Sequence, residues 1–187
     1  MKELDYALML IKDGKIEAAK EALTDILESD PQDRETLFNL GICQSELGNP
    51  ERAVRTLCDC VKHHPDDADA YAALGYAHSM LGQNSEAKGN FLKALTIYPA
   101  NSYALRNLGN LYGAEEDYGR AIECFEKAYA IDPEDQQTAY SIGYSFFKTG
   151  QMKLAIEYLT AAIEVDRSTQ LAEIAMELLR DIADGIR

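Results

Sequence analysis

The sequence predicts an all-α chain of repeated helix–turn–helix units, and three observations carry that prediction. Prolines fall at Pro31, Pro65, Pro99 and Pro133, each 34 residues after the last. The pairs Leu40-Gly41, Leu74-Gly75, Leu108-Gly109 and Ile142-Gly143 keep the same interval, with Tyr6-Ala7 a weaker first copy. So do Ala19, Ala53, Ala87, Ala121 and Ala155, followed four residues later by Leu23, Leu57, Phe91, Phe125 and Leu159. Different residue types recurring in one phase mark a tandem array whose core lengthens with each unit.

Each element follows from local chemistry. Apolar residues three and four apart put one stripe on each helix. Glycine after leucine, and alanine on the second helix, remove bulk so that two antiparallel helices can approach closely. Gly14, Gly48, Gly82 and Gly150 end the first helices, with Glu116 in the place of glycine in the fourth unit. Proline at each junction stops the second helix. The predicted helices span 2–13 and 16–29, 34–47 and 50–63, 68–81 and 84–97, 102–115 and 118–131, and 136–149 and 152–165. Gly89 interrupts the sixth at a cost of roughly 1 kcal/mol relative to alanine, which a close helix contact would explain. A last helix over 168–184 is predicted to be capped by Ser168, with Leu171, Ile174, Ala175, Leu178 and Ile182 as its apolar stripe. It lacks the Leu-Gly pair and reads as the end cap that a repeat column needs.

Composition narrows the function. The net charge of −14 argues against nucleic acid, because phosphate binding needs clustered Lys and Arg. Many acids stand where helices begin, among them Asp33, Glu35, Asp66, Asp67, Asp69, Glu134 and Asp135, where they face the positive end of the helix dipole. No apolar run is long enough to span a bilayer, and Met1-Lys2-Glu3-Leu4-Asp5 lacks a signal-peptide core. A cytoplasmic protein without membrane insertion is the expectation. Cys43, Cys58, Cys60 and Cys124 form no regular framework and are read as small core residues without a disulfide.

On the proline, Leu-Gly and alanine columns at 34 residues, the chain resembles the tetratricopeptide-repeat (TPR) family over about residues 1–167. The family's favoured tryptophan is absent, with Leu37, Tyr71, Leu105 and Ala139 in its place. The resemblance implies a right-handed superhelical α-solenoid of five repeats, about 1–33, 34–67, 68–101, 102–135 and 136–167, followed by a capping helix at 168–187. It further implies a protein–protein interaction module whose concave wall is formed by the first helices. Carried over position by position, that wall includes Phe38, Asn39 and Ile42, then Tyr76, then Tyr103, Arg106, Asn107 and Asn110, and finally Tyr140, Tyr144 and Phe147.

The rings on this wall are not required by the repeat core, so a partner is the natural way to cover them. Asn107 and Asn110 offer amides for a peptide backbone, and Arg106 could meet a carboxylate in bidentate fashion. Family members that grip a C-terminal carboxylate need asparagine where Ser141 stands, so that mode is not expected. Cys60, His63 and His64 have helical metal-ligand spacing but no evident fourth ligand. His78 is read as a packing histidine. No phosphate loop or nucleophile–base pair is present, so no enzyme activity, cofactor or metal is expected. The expected partner is a protein or peptide. The alternative is a homodimer through the same apolar surface or through the first helix, whose stripe is Leu4, Leu8 and Ile11.

Overall fold

The computed structural model describes residues 3–185. The predicted helix start at residue 2 and the predicted cap residues 186 and 187 lie outside the described residues. Among the described residues there are eleven helices and no strand: α1 (Glu3–Lys12), α2 (Ile16–Ser29), α3 (Arg34–Glu46), α4 (Pro50–His63), α5 (Ala68–Met80), α6 (Asn84–Ile97), α7 (Ser102–Ala114), α8 (Tyr118–Ile131), α9 (Gln136–Lys148), α10 (Met152–Val165) and α11 (Gln170–Gly185). The second helices α2, α4, α6, α8 and α10 occupy the ranges expected from the sequence. The first helices stop one residue sooner, at Lys12, Glu46, Met80, Ala114 and Lys148.

Helix starts are fixed by a polar column. The side chains of Asp33, Asp67, Asn101 and Asp135 accept hydrogen bonds from the backbone amides of Thr36, Ala70, Ala104 and Thr138. Each satisfies a donor that the first turn would otherwise leave unpaired. Thr169 continues the column: its Oγ1 accepts from Ala172 N at 3.1 Å. It is therefore Thr169, and not Ser168 as the sequence suggested, that caps α11. Ser168 instead turns back, donating to Asp166 Oδ1 from both its amide and its hydroxyl.

Helix ends obey two rules. Gly14, Gly48, Gly82 and Gly150 have φ of +70° to +76°, and Glu116 is held at +60° in the same role. The pattern Glu116 N to Gly113 O and Asp117 N to Tyr112 O repeats that of Gly48 N to Ser45 O and Asn49 N to Gln44 O. At the other end of each hairpin, Asp30, His64, Tyr98 and Asp132 precede proline with ψ between 72° and 95°. The following ring excludes the helical region there and stops α2, α4, α6 and α8.

The chain divides into two compact units, Met1–Pro99 and Ala100–Arg187. In the first, the pairs α1–α2, α3–α4 and α5–α6 stack in order, with Leu10, Leu23, Leu40 and Cys43 in one cluster and Leu57, Leu74 and Ala77 in another. In the second, α7–α8 and α9–α10 stack, and α11 packs on α10 and α9. Phe146 and Tyr158 stack at 5.7 Å, and Tyr129 meets Tyr158 edge-on at 5.6 Å. The Leu-Gly column has one purpose throughout. A Cβ on Gly41, Gly75, Gly109 or Gly143 would lie 2.5–2.8 Å from Leu57, Phe91, Phe125 or Leu159, so only glycine lets the paired helices meet. Gly89 differs: a Cβ there would meet nothing within 4 Å, and the close contact expected for it is absent.

Candidate functional site

The eleven wall residues lie on first helices, and none is buried. In the first unit, Phe38 and Ile42 are partly covered, packing against Ala53, Leu57, Ala73 and Leu74. Arg34 lies over the Phe38 ring at 5.6 Å. Asn39 donates from Nδ2 to Glu35 O at 2.7 Å, and Tyr76 is half-buried. Phe38, Asn39 and Ile42 are thus partly engaged by their own neighbours.

In the second unit, two groups form. The first is Tyr103, Arg106 and Asn107. Arg106 Nη1 donates to Asp135 Oδ2 at 2.7 Å, and its guanidinium lies over Tyr103 at 5.6 Å. Burial alone would raise the Asp135 carboxyl, but the Thr138 hydroxyl and Arg106 outweigh it and hold it below the usual carboxylate range. Asp135 thus takes one N–H of the Arg106 guanidinium, while Arg106 Nε is buried without a hydrogen-bond partner among the described residues. Asn107 donates from Nδ2 to Tyr103 O at 2.8 Å, so its amide hydrogens are also partly engaged.

The second group is Asn110, Tyr140 and Tyr144. The two tyrosines stack at 6.2 Å with 21° between their planes, as expected of residues four apart on one helix face. Tyr144 is 38% exposed. Asn110 is exposed, and its amide makes no hydrogen bond among the described residues. Together with Gly113, Tyr118 and Phe125 they line a cavity of about 180 Å³. Burial, and then Tyr144, push the Tyr140 hydroxyl above its ordinary value. Phe147 is half-buried.

Tyr118 was not anticipated, because it comes from the start of a second helix. Its signal was available: Ile16, Pro50, Asn84 and Met152 hold the same repeat position, and only here is an aromatic ring found. The column of helix-capping side chains also went unread as a column, although its members stand 34 residues apart. One of its members, Asp67, lines a polar cleft of about 550 Å³ in the first unit with Arg34, His64 and Tyr98. Arg34 holds Asp67 by Nε to Oδ2 at 2.5 Å and Nη2 to Oδ1 at 2.9 Å.

Other candidates resolve into structure. His64 Nε2 is 2.8 Å from Gln32 O, and His78 Nδ1 is 2.6 Å from Gln83 Oε1. No group of three His, Cys, Asp or Glu side chains suited to a metal exists among the described residues. All four cysteines are free, but only Cys43 and Cys60 are core residues, since Cys58 is exposed and Cys124 half-buried. Burial pushes the Cys43 and Cys60 thiols up to about 11. None of the described helices is long and apolar enough to cross a membrane.

Comparison with known proteins agrees with this architecture. Family models described as tetratricopeptide repeat match residues 10–75, residues 102–135, and residues 68–101 with 137–169. No curated protein matches the sequence. Among solved structures, a crystal structure of MamA is 28% identical, with a TM-score of 0.72 over 85% of this chain and 93% of that one. A thermophilic TPR protein of Thermus thermophilus, TTC0263, is 19% identical, with a TM-score of 0.80 over 95% and 97%. YrrB, a TPR protein described as having an unusual peptide-binding site, is 19% identical, with a TM-score of 0.67 over 94% and 90%.

Proposed function

Because the chain belongs to the tetratricopeptide-repeat family, whose fold serves as a protein–protein interaction scaffold, we propose that it captures a peptide or helical segment of a partner on its first-helix wall. The observation that carries this reading is the cluster of Asn110, Tyr140 and Tyr144 in the second unit. It combines stacked rings with a free amide beside a cavity, in a fold that is typically non-catalytic. Rings bury large area with few rotatable bonds, and a side-chain amide can pair with a guest backbone. Arg106 and Asn107 act here as supports: the first is tied to Asp135, the second to the Tyr103 carbonyl. The likeness to YrrB bears on fold, so the peptide-binding reading rests on the cluster itself.

The test is capture of a partner from native lysate by the intact chain and by Asn110→Ala and Tyr144→Ala. Both variants should lose partner affinity while keeping helical content. Unchanged capture by both would move the site off this wall.

A second reading, self-association, is favoured by one feature of the first unit. Tyr6 is 45% exposed, whereas Leu40 and Leu74 at the same repeat position are 5% and 4% exposed. Tyr6 lines an opening of about 440 Å³ with Ala22 and Ile26, flanked by Glu3 and Asp25, a surface that a second copy could cover. Light scattering decides this: a dimer that Tyr6→Lys converts to monomer supports it, and a monomer at high concentration removes it.

A further inference from the structure

We propose that the second-unit cavity between α7, α8 and α9 is an anchor pocket for one uncharged, phenylalanine-sized side chain of a guest segment, and that Gly113 is the residue that opens it. The inference deepens the peptide-capture reading and rests on it.

Glycine at position 113 has no structural reason of the kind that explains its neighbours. Gly109 and Gly143 are required by the approach of Phe125 and Leu159, and Gly150 by its positive φ. Gly113 lies in α7, where glycine is disfavoured, without a positive φ, and a Cβ there would meet nothing within 4 Å. The other repeats carry Ile11, Ser45, Ser79 and Phe147 at this position. The space that a larger side chain would fill is continuous with the cavity, since Gly113 is part of its lining.

The size and the walls choose the occupant. The cavity measures about 180 Å³, and an apolar protein cavity of about 150 Å³ is known to take up benzene. Phe125 is buried, while Tyr118, Tyr140 and Tyr144 present further rings. Aromatic groups meet such rings in offset or edge-on geometry, which rewards a planar guest over a branched one. No charged side chain lines the pocket. A Lys, Arg, Asp or Glu side chain entering it would lose hydration and find no lining side chain of opposite charge, a cost that an uncharged ring does not carry. Asn110 on the same lining is free to pair with the guest backbone beside the anchor.

The experiment titrates the full isotope-labelled chain, by amide NMR, with N-acetyl-phenylalanine amide. The N-acetyl amides of glycine, aspartate and lysine serve as comparisons. The phenylalanine compound should give saturable shifts at Asn110, Gly113 and Tyr144. The other three should bind at least tenfold more weakly. Gly113→Leu fills the space and should weaken the phenylalanine compound at least tenfold, with Gly113→Ala between it and the parent. Should Gly113→Leu lose helical content, Gly113→Ala decides, since alanine suits a helix at an open position. Equal binding of the glycine and phenylalanine compounds, or undiminished binding in the filled variants, overturns the pocket. If that happens while Asn110→Ala and Tyr144→Ala still weaken partner capture, the pocket falls and the groove reading stands. Selective probe binding with unchanged partner capture in those two variants leaves the pocket and overturns the groove reading.

Discussion

Arg34 and Asp67, 33 residues apart, meet through two hydrogen bonds, and Asp67 simultaneously caps α5 through Ala70 N at 3.0 Å. The same register recurs in the second unit, where Thr169 Oγ1 donates to Gln136 Oε1 at 2.9 Å across the same separation. Gln136 also donates to Ala162 O and Asp166 O. In both places the first residue of one first helix holds the capping residue of the next.

Acid should expose the Arg34–Asp67 connection. Burial pushes the Asp67 carboxyl up, but Arg34 and the Ala70 amide outweigh it and hold it below its ordinary value. A depressed carboxyl contributes stability above its unfolded value of about 3.9, and that contribution is lost as pH falls through the folded value. Asp67→Asn keeps a capping side chain and removes the charge. It should cost about 1 kcal/mol at pH 7, the modest figure reflecting the partial exposure of Arg34. In urea denaturation the difference from the parent should shrink below about pH 4. A difference independent of pH would show that the charge is not what matters.

The start of α11 makes a sharper contrast between neighbours. Thr169→Ala removes the cap and the link to Gln136 and should lower stability by about 1 kcal/mol. Ser168→Ala removes only an exposed contact to Asp166 and should cost less. Chemical denaturation of the two single variants checks the order, and the reverse order would restore Ser168 as the cap.

Two glycines in the first unit should respond in opposite directions to alanine. At Gly75 the new methyl would lie 2.7 Å from the Phe91 ring and 3.1 Å from Ala87 O, and overpacking of that kind costs about 1–3 kcal/mol. At Gly89 it enters open space on a helix and should stabilise by about 1 kcal/mol. Thermal melts of Gly75→Ala and Gly89→Ala should shift down and up respectively.

Glu116 carries a removable strain. A non-glycine residue at φ +60° is disfavoured by about 1–2 kcal/mol, partly offset by the greater unfolded-state freedom of glycine. Glu116→Gly should therefore raise stability by about 0.5–1 kcal/mol, measured by urea denaturation, and should not alter probe binding in the neighbouring cavity.

Much of the fold was legible because its determinants are local. Gly14, Gly48, Gly82 and Gly150 report backbone φ, Pro31 and its successors report helix ends, and both effects act within a few residues. Which helices carry Phe38, Arg106 and Tyr144 was legible, but what each side chain meets was not. Nothing near Arg106 in the chain reveals that Asp135 will meet it, since that depends on two helices bringing them together. Tyr118 was missed for a similar reason: its ring matters only beside Tyr140 and Tyr144, which α9 delivers. Ser168 and Thr169 are both good capping types one residue apart, and only the repeat register separates them.

The close approaches at glycine have a kinetic consequence. Gly41 meets Leu57, Gly75 meets Phe91, Gly109 meets Phe125 and Gly143 meets Leu159, so every one of these contacts closes within its own hairpin. Chains dominated by such short closures pay little loop entropy before contacts form, and helical proteins of this kind fold in microseconds to milliseconds. Amide exchange should therefore reveal several separable opening events, hairpin by hairpin, in place of a single cooperative one.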